Sequence, residues 1–195
     1  MSLGGAFHFL ERSGDSLLGE LEHQSRREFD SLEAFARALI ASAVAWREER
    51  RLVLRMVGKL LAQDMRSQIG HYQGAVGNYL EWAELAESTE DEKARVGAPP
   101  DAPLLRFGDL AKSFRFSVDG EEVYVGSTDP VMEYHEFGTS KMPPRSVIGP
   151  ALLKNMDTIR DLMGYAVVDA VVNGQRMGYR FRAELGGIAQ PGEEI

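Results

Sequence analysis

A chain of 195 residues with 44% apolar and 27% charged side chains suits one globular domain with a real core and is short for two. It has no cysteine, which excludes disulfides and thiolate metal sites and fits assembly in a reducing cytoplasm. The net charge of −8 argues against sequence-independent nucleic-acid binding, which needs clustered Lys and Arg, and no apolar run reaches membrane-spanning length. An acidic surface keeps such a chain soluble, and an acidic wall lining a passage for DNA would also repel the duplex and let it slide.

Residues 1–28 are interrupted by Gly4, Gly5, Gly14 and Gly19 and are expected to form an irregular arm. They lack a basic region followed by a long apolar run, so no signal peptide is expected. Asp30 followed by Glu33 resembles a capping box, and Leu32, Phe35, Ala36, Leu39, Ile40 and Ala43 then recur at helical spacing. The run 46–51 is charged enough to be solvated or to sit against a partner. Leu54, Val57, Leu61 and Met65 resume the stripe, and Gly70 is placed to end it. The pattern fits one long helix or two helices meeting near 47–52.

Residues 71–103 read as connection, broken by Gly74, Gly77 and the proline-rich stretch 98–103, with one helical turn at 88–93 and Trp82 as an anchor to the core. The carboxylates of Glu81, Glu84, Glu87, Glu90, Asp91 and Glu92 lack the loop glycine and alternating spacing of a calcium motif, so they read as a solvated acidic face. Phe114, Phe116 and Val118 alternate with Arg115 and Ser117, Asp119-Gly120 supplies a tight turn, and Val123 and Val125 return on one face. Two strands alone are marginal and need a helical cover.

An aromatic-rich turn is expected at 134–139, then a basic, proline-containing loop at 141–145. A helix begins at Gly149-Pro150 with Leu152, Leu153, Met156, Ile159, Leu162 and Met163 inward. It is placed on the hairpin and expected to run through Ala166, Val167, Ala170 and Val171 to Asn173-Gly174. Tyr179, Phe181 and Ala183 then alternate with charged residues as in a short strand, and 186–195 reads as a tail. The expected fold class is α+β: a long N-terminal helix or helix pair, a small antiparallel sheet with a β-hairpin, and a C-terminal helix packed on it. The expected organisation is an arm over 1–28, a single domain over 29–173 and an extension over 174–195.

Chemistry has few candidates. His135 beside Glu133 and Glu136 offers a general base, but the i, i+4 histidine pair of a zinc helix is missing. His8, His23 and His71 have no partner spacing, and no GxSxG elbow, phosphate loop or dinucleotide fingerprint occurs. No catalytic, metal-binding or cofactor-binding residue is assigned, and no cofactor is expected. His135 reads as a structural histidine in a turn. A small hydrolase centred on His135 and Glu136 is the alternative of another class.

The order of parts from Leu104 to Leu152 resembles the virion-morphogenesis and tail-completion proteins of tailed bacteriophages. Leu104-Leu105 and Gly108-Asp109-Leu110 match the entry, 113–126 the hairpin, Tyr134 to Thr139 the turn, Pro144-Arg145 the loop and Pro150-Ala151-Leu152 the helix start. Trp82-Ala83-Glu84-Leu85 and Ser88-Thr89 echo an upstream segment, so the likeness covers about 82–165. Ser146-Val147-Ile148 departs from the aromatic or leucine pair that many members carry after the loop.

The resemblance implies a non-enzymatic α+β subunit of a homo-oligomeric ring, hexameric or dodecameric, at the head–tail interface of a virion assembled in the host cytoplasm. The implied partners are a head-side portal, adaptor or head-closure protein and a tail-terminator or tail-tube protein. DNA would pass through the lumen without specific binding, and no membrane is involved. A tail-terminator subunit is the alternative within the same virion. The expected interface residues are Tyr134, Phe137, Thr139, Lys141, Met142, Pro144 and Arg145. Arg145 either pairs with an acidic residue of a neighbour or braces its own loop.

Overall fold

The computed structural model describes residues 30–168 and Ala170. The arm expected over 1–28 and the strand and tail expected beyond 173 lie outside the described residues. The chain divides into two compact units. Of the described residues, 30–49, 165–168 and Ala170 belong to the first and 50–164 to the second.

The stripe over 32–65 forms one unbroken helix of 37 residues, α1 (Leu32–Gln68), which decides between one helix and two. Ser31, not Asp30, caps it: the Ala34 N–H donates to Ser31 Oγ at 3.1 Å and the Phe35 N–H to the Ser31 carbonyl at 3.1 Å. The first turn's free N–H groups lie within reach of a side chain directly before the helix, and Asp30 is one residue too early. At the other end Gly70 adopts φ +91° and donates its N–H to the Pro103 carbonyl at 2.8 Å, which stops α1 and ties its end to the loop.

In the first unit the apolar stripe of α1 is exposed, whereas Ala45 and Glu49 are buried. The charged run 46–51 is therefore not wholly solvated. In the second unit Val53, Val57, Leu61 and Met65 of α1 are buried and form the floor of the core.

After α1 the chain is irregular as far as α2 (Glu87–Arg95), which is longer than the single turn expected and has no side-chain cap. Lys93 of α2 is buried and donates to the Pro100 carbonyl at 3.1 Å and to the Ala102 carbonyl, closing the proline-rich stretch onto the helix. Trp82 is buried and its Nε1–H donates to the Ser146 carbonyl at 3.1 Å, so it anchors its loop as expected.

A short helix, α3 (Asp109–Ser113), leads into β1 (Phe114–Asp119), which pairs antiparallel with β2 (Glu122–Ser127). Phe116 lies opposite Val125 and Val118 opposite Val123, the faces read from the alternation. Asp119 pairs with Glu122, so the loop is Gly120-Glu121, one residue later than expected. Gly120 takes φ +57° at the first central position, as in a type II′ turn.

The hairpin's apolar face is covered by α1. A Cβ on Gly58 would lie 2.4 Å from the Phe116 ring and 3.0 Å from Val123, so the helix backbone sits directly on the sheet. Arg66 also donates to the Phe114 carbonyl at 2.7 Å. A glycine in α1 is what allows this close approach of helix to sheet.

The segment expected to be a turn is helical, α4 (Val131–Phe137). Asp129 Oδ1 accepts the Val131 N–H at 2.9 Å, and Gly138 at φ +71° ends the helix. The last helix, α5 (Ile148–Val168), starts one residue before Gly149. Its inward face is Ala151 and Leu162, with Met156 and Ile159 half-buried, and it leaves Leu152 and Leu153 exposed. The small residues Gly149 and Ala151 set which side of α5 approaches the core, and that rotates the leucine pair outward. Asp64 Oδ2 fixes α5 to α1 by accepting from Asn155 Nδ2 at 3.1 Å, and Gln68 Nε2 of α1 also donates to it at 3.3 Å.

Candidate assembly interface

Among the residues singled out by sequence, 134–145 form one continuous surface feature. Met132 buries the inner side of α4, and the outer side presents Tyr134 and Phe137 at 58% and 77% exposure. Tyr134 and Phe137, three residues apart on one helix, leave apolar surface exposed side by side.

Gly138 turns the chain out of α4. A Cβ there would lie 2.9 Å from both the Met142 carbonyl oxygen and the Pro144 nitrogen, so only glycine fits. The tip closes on itself: the Thr139 N–H donates to the Met142 carbonyl at 2.8 Å, the Met142 N–H to the Thr139 carbonyl at 3.3 Å, and the Lys141 N–H to Thr139 Oγ1 at 3.2 Å. Thr139, Lys141 and Pro144 are exposed on this tip and Met142 is half-buried. The closed turn and the paired prolines hold it in shape.

The base of the loop is clamped. Arg145 is buried, its N–H donates to the His135 carbonyl at 2.7 Å, and its Nη2 donates to the carbonyls of Ala83 and Glu84 at 3.0 and 3.2 Å. Of the two roles expected for Arg145, the geometry shows the brace of its own loop. Its guanidinium is turned inward, away from the surface formed by Tyr134 and Phe137.

Glu136 carries a role the sequence did not disclose. Its Oε2 accepts the N–H groups of Val147 and Ile148 at 2.8 and 3.2 Å, and its Oε1 accepts that of Gly149 at 3.3 Å. A carboxylate at these free N–H groups also meets the positive end of the α5 dipole. Ser146 Oγ, just before α5, donates to the Glu136 carbonyl at 2.8 Å, so this one residue of α4 holds the start of α5.

His135 is half-buried beside this clamp, and burial, followed by the Arg145 charge, lowers its pKa below the ordinary 6.5, with Asp129 opposing. The carboxylate that a hydrolase would need as its partner is engaged at the start of α5. A groove of about 550 Å³ runs beside α4, lined by Tyr79, Pro130, Met132, Glu133, Phe137 and Gly149. A Cβ on Gly149 would overlap the Tyr79 ring at 2.1 Å, so this wall depends on glycine. The acidic residues Glu81, Glu84 and Glu90 line a separate, open groove with Asp101, Tyr72 and Trp82.

The model of the phage virion morphogenesis family matches residues 28–170, from just before α1 to the end of α5. The chain belongs to the phage virion morphogenesis family. No curated protein and no solved structure matches it. The family match is wider than the 82–165 read from motifs and takes in the whole of α1. Membership assigns the chain to the building of a phage virion. Among the described residues no helix is long and apolar enough to cross a membrane.

Proposed function

We propose that this chain is a structural subunit of the neck, forming a tail-completion ring that joins the DNA-filled head to the tail. The observation that carries this reading is membership of the morphogenesis family, together with exposed aromatics on a clamped loop. Tyr134, Phe137, Thr139, Lys141 and Pro144 form the docking surface, with Met142 as its edge, for a sister subunit, a head-side portal or adaptor, or a tail terminator. Arg145 and Glu136 hold that surface in position from beneath. The net charge of −8 suits a ring whose lumen lets DNA pass without binding it.

Complementation of a phage lacking this gene tests the surface. The variant Phe137→Asp is expected to fold, because its side chain is exposed, and to leave filled heads beside free tails of normal length. Joined particles at the wild-type yield would remove the surface from the joining role. Free tails of uncontrolled length would instead assign the subunit to tail termination.

A further inference from the structure

The outer edge of β2 is an open half of a ladder. Asp119 and Glu122 close their loop as a bonded pair, so bonded pairs recur at Ser117–Tyr124 and Arg115–Gly126. The Thr128 N–H donating to the Ser113 carbonyl at 3.0 Å continues the series. The backbone N–H and C=O groups of Val123 and Val125 therefore point away from β1, and among the described residues nothing bonds to them. On the outer edge of β1, by contrast, Arg66 donates to the Phe114 carbonyl at 2.7 Å. The β2 edge is also thinly covered. Phe114 and Phe116 are buried, whereas Val123 and Val125 on the same, α1-facing side of the sheet are half-buried. The opposite side of β2 carries Glu122 and Tyr124, both exposed, with the tyrosine hydroxyl donating to the carboxylate. A third strand that fits this edge is apolar toward α1 and basic on its other side.

We infer that the chain's own residues 179–184 add to β2 as an antiparallel third strand, with Tyr179 opposite Val125 and Phe181 opposite Val123. These residues read Tyr-Arg-Phe-Arg-Ala-Glu. In this register the two rings meet the two valines on the α1 side, Arg180 lies opposite Tyr124 and Arg182 opposite Glu122. Aromatic–β-branched pairs, a cation over a ring and opposite charges are the cross-strand pairs that stabilise a sheet. A slip of one residue turns both arginines toward α1, and a slip of two in one direction sets Glu184 against Glu122. Residues 6–10 also alternate, with Phe7 and Phe9 on one side, but Ala6, His8 and Leu10 on the other offer no arginine to Glu122. The stretch from Ala170 to Tyr179 extends to about 30 Å at most, and a strand on so short a tether meets its own hairpin at a higher effective concentration than another copy's. This pairing goes beyond the neck assignment and does not rest on it.

The absence of cysteine lets a disulfide report the pairing in the full-length protein. Opposite residues of a non-bonded antiparallel pair lie about 4.5 Å apart at Cα, within disulfide range. Tyr124→Cys with Arg180→Cys is expected to form an intramolecular disulfide under mild oxidation. Tyr124→Cys with Phe181→Cys, which face opposite sides of the sheet, is not. Amide exchange followed by NMR reads the ladder without added cysteines. The Val123 and Val125 amides are expected to exchange slowly in the wild-type chain and roughly tenfold faster in Phe181→Asp. The Tyr124 amide, bonded to Ser117, stays slow in both and shows that the hairpin is folded. Fast exchange at both valines in the wild-type chain, with Tyr124 protected, overturns the inference. A disulfide that joins two chains also overturns it, by making a second copy the cover. Loss of protection in Phe7→Asp but not in Phe181→Asp does so too, by assigning the edge to the N-terminal segment. Head–tail joining is read separately in lysates, so loss of one result leaves the other standing.

Discussion

His135 and Glu136 are neighbours in sequence with opposite environments, and each makes a measurable difference. Glu136 answers three N–H groups at the start of α5. Glu136→Ala is expected to cost about 2 kcal/mol of unfolding free energy, and Glu136→Gln about half that, because one oxygen still accepts while the charge on the dipole is lost. Chemical denaturation of the two variants measures both. His135 is held neutral by burial, so the unfolded chain takes up its proton at higher pH than the folded one. Stability from this residue is complete above about pH 6.5 and declines as pH falls from there to the depressed folded value. His135→Gln is expected to flatten that decline, read from urea midpoints across the window. Arg145→Ala is expected to cost about 1–3 kcal/mol by leaving the Ala83 and Glu84 carbonyls without their donor. Reduced joining in that variant should therefore appear only together with reduced stability. The sequence offered a structural His135 and bracing as one of two roles for Arg145, but not the role of Glu136. Capping rules look within three residues of a helix start, and Glu136 reaches α5 from eleven residues before Val147.

At the scale of elements, two glycines in helices have opposite expected effects. Gly58→Ala improves helix propensity by about 1 kcal/mol but forces a methyl into the Phe116 ring at 2.4 Å. Crowding of that kind costs about 1–3 kcal/mol, so a net loss is expected. Gly164→Ala in α5 meets no atom of the described residues within 4 Å, and a net gain of up to about 1 kcal/mol is expected. Thermal melts of both variants decide the sign. The hairpin and the second half of α1 were legible because period-two and helical patterns persist there over many residues. The inward face of α5 was legible at Met156, Ile159, Leu162 and Met163 but not at its start, where Leu152 and Leu153 are exposed. The seven-residue α4 is too short to carry a periodic signal, and its aromatics read as a turn. The fold class survives these shifts, because a long helix, a two-stranded hairpin and a closing helix are all present.

For the whole molecule, the order of short motifs from 104 to 152 pointed to the family that the match over 28–170 establishes. Five of the seven expected interface residues lie exposed on one loop and helix; Met142 is half-buried and Arg145 is turned inward. Arg145 stood open between pairing with a neighbour and bracing its own loop, since an arginine beside prolines looks the same in sequence whether it faces a partner or two carbonyls of its own chain. The exposed first half of α1 read as an ordinary helical stripe, and only the fold shows that its large side chains face outward. The neck assignment is tested most directly by electron microscopy of lysates from a host induced for the phage with this gene deleted. Filled heads accumulating beside free tails of finished length are the expected result, and intact joined particles would contradict it.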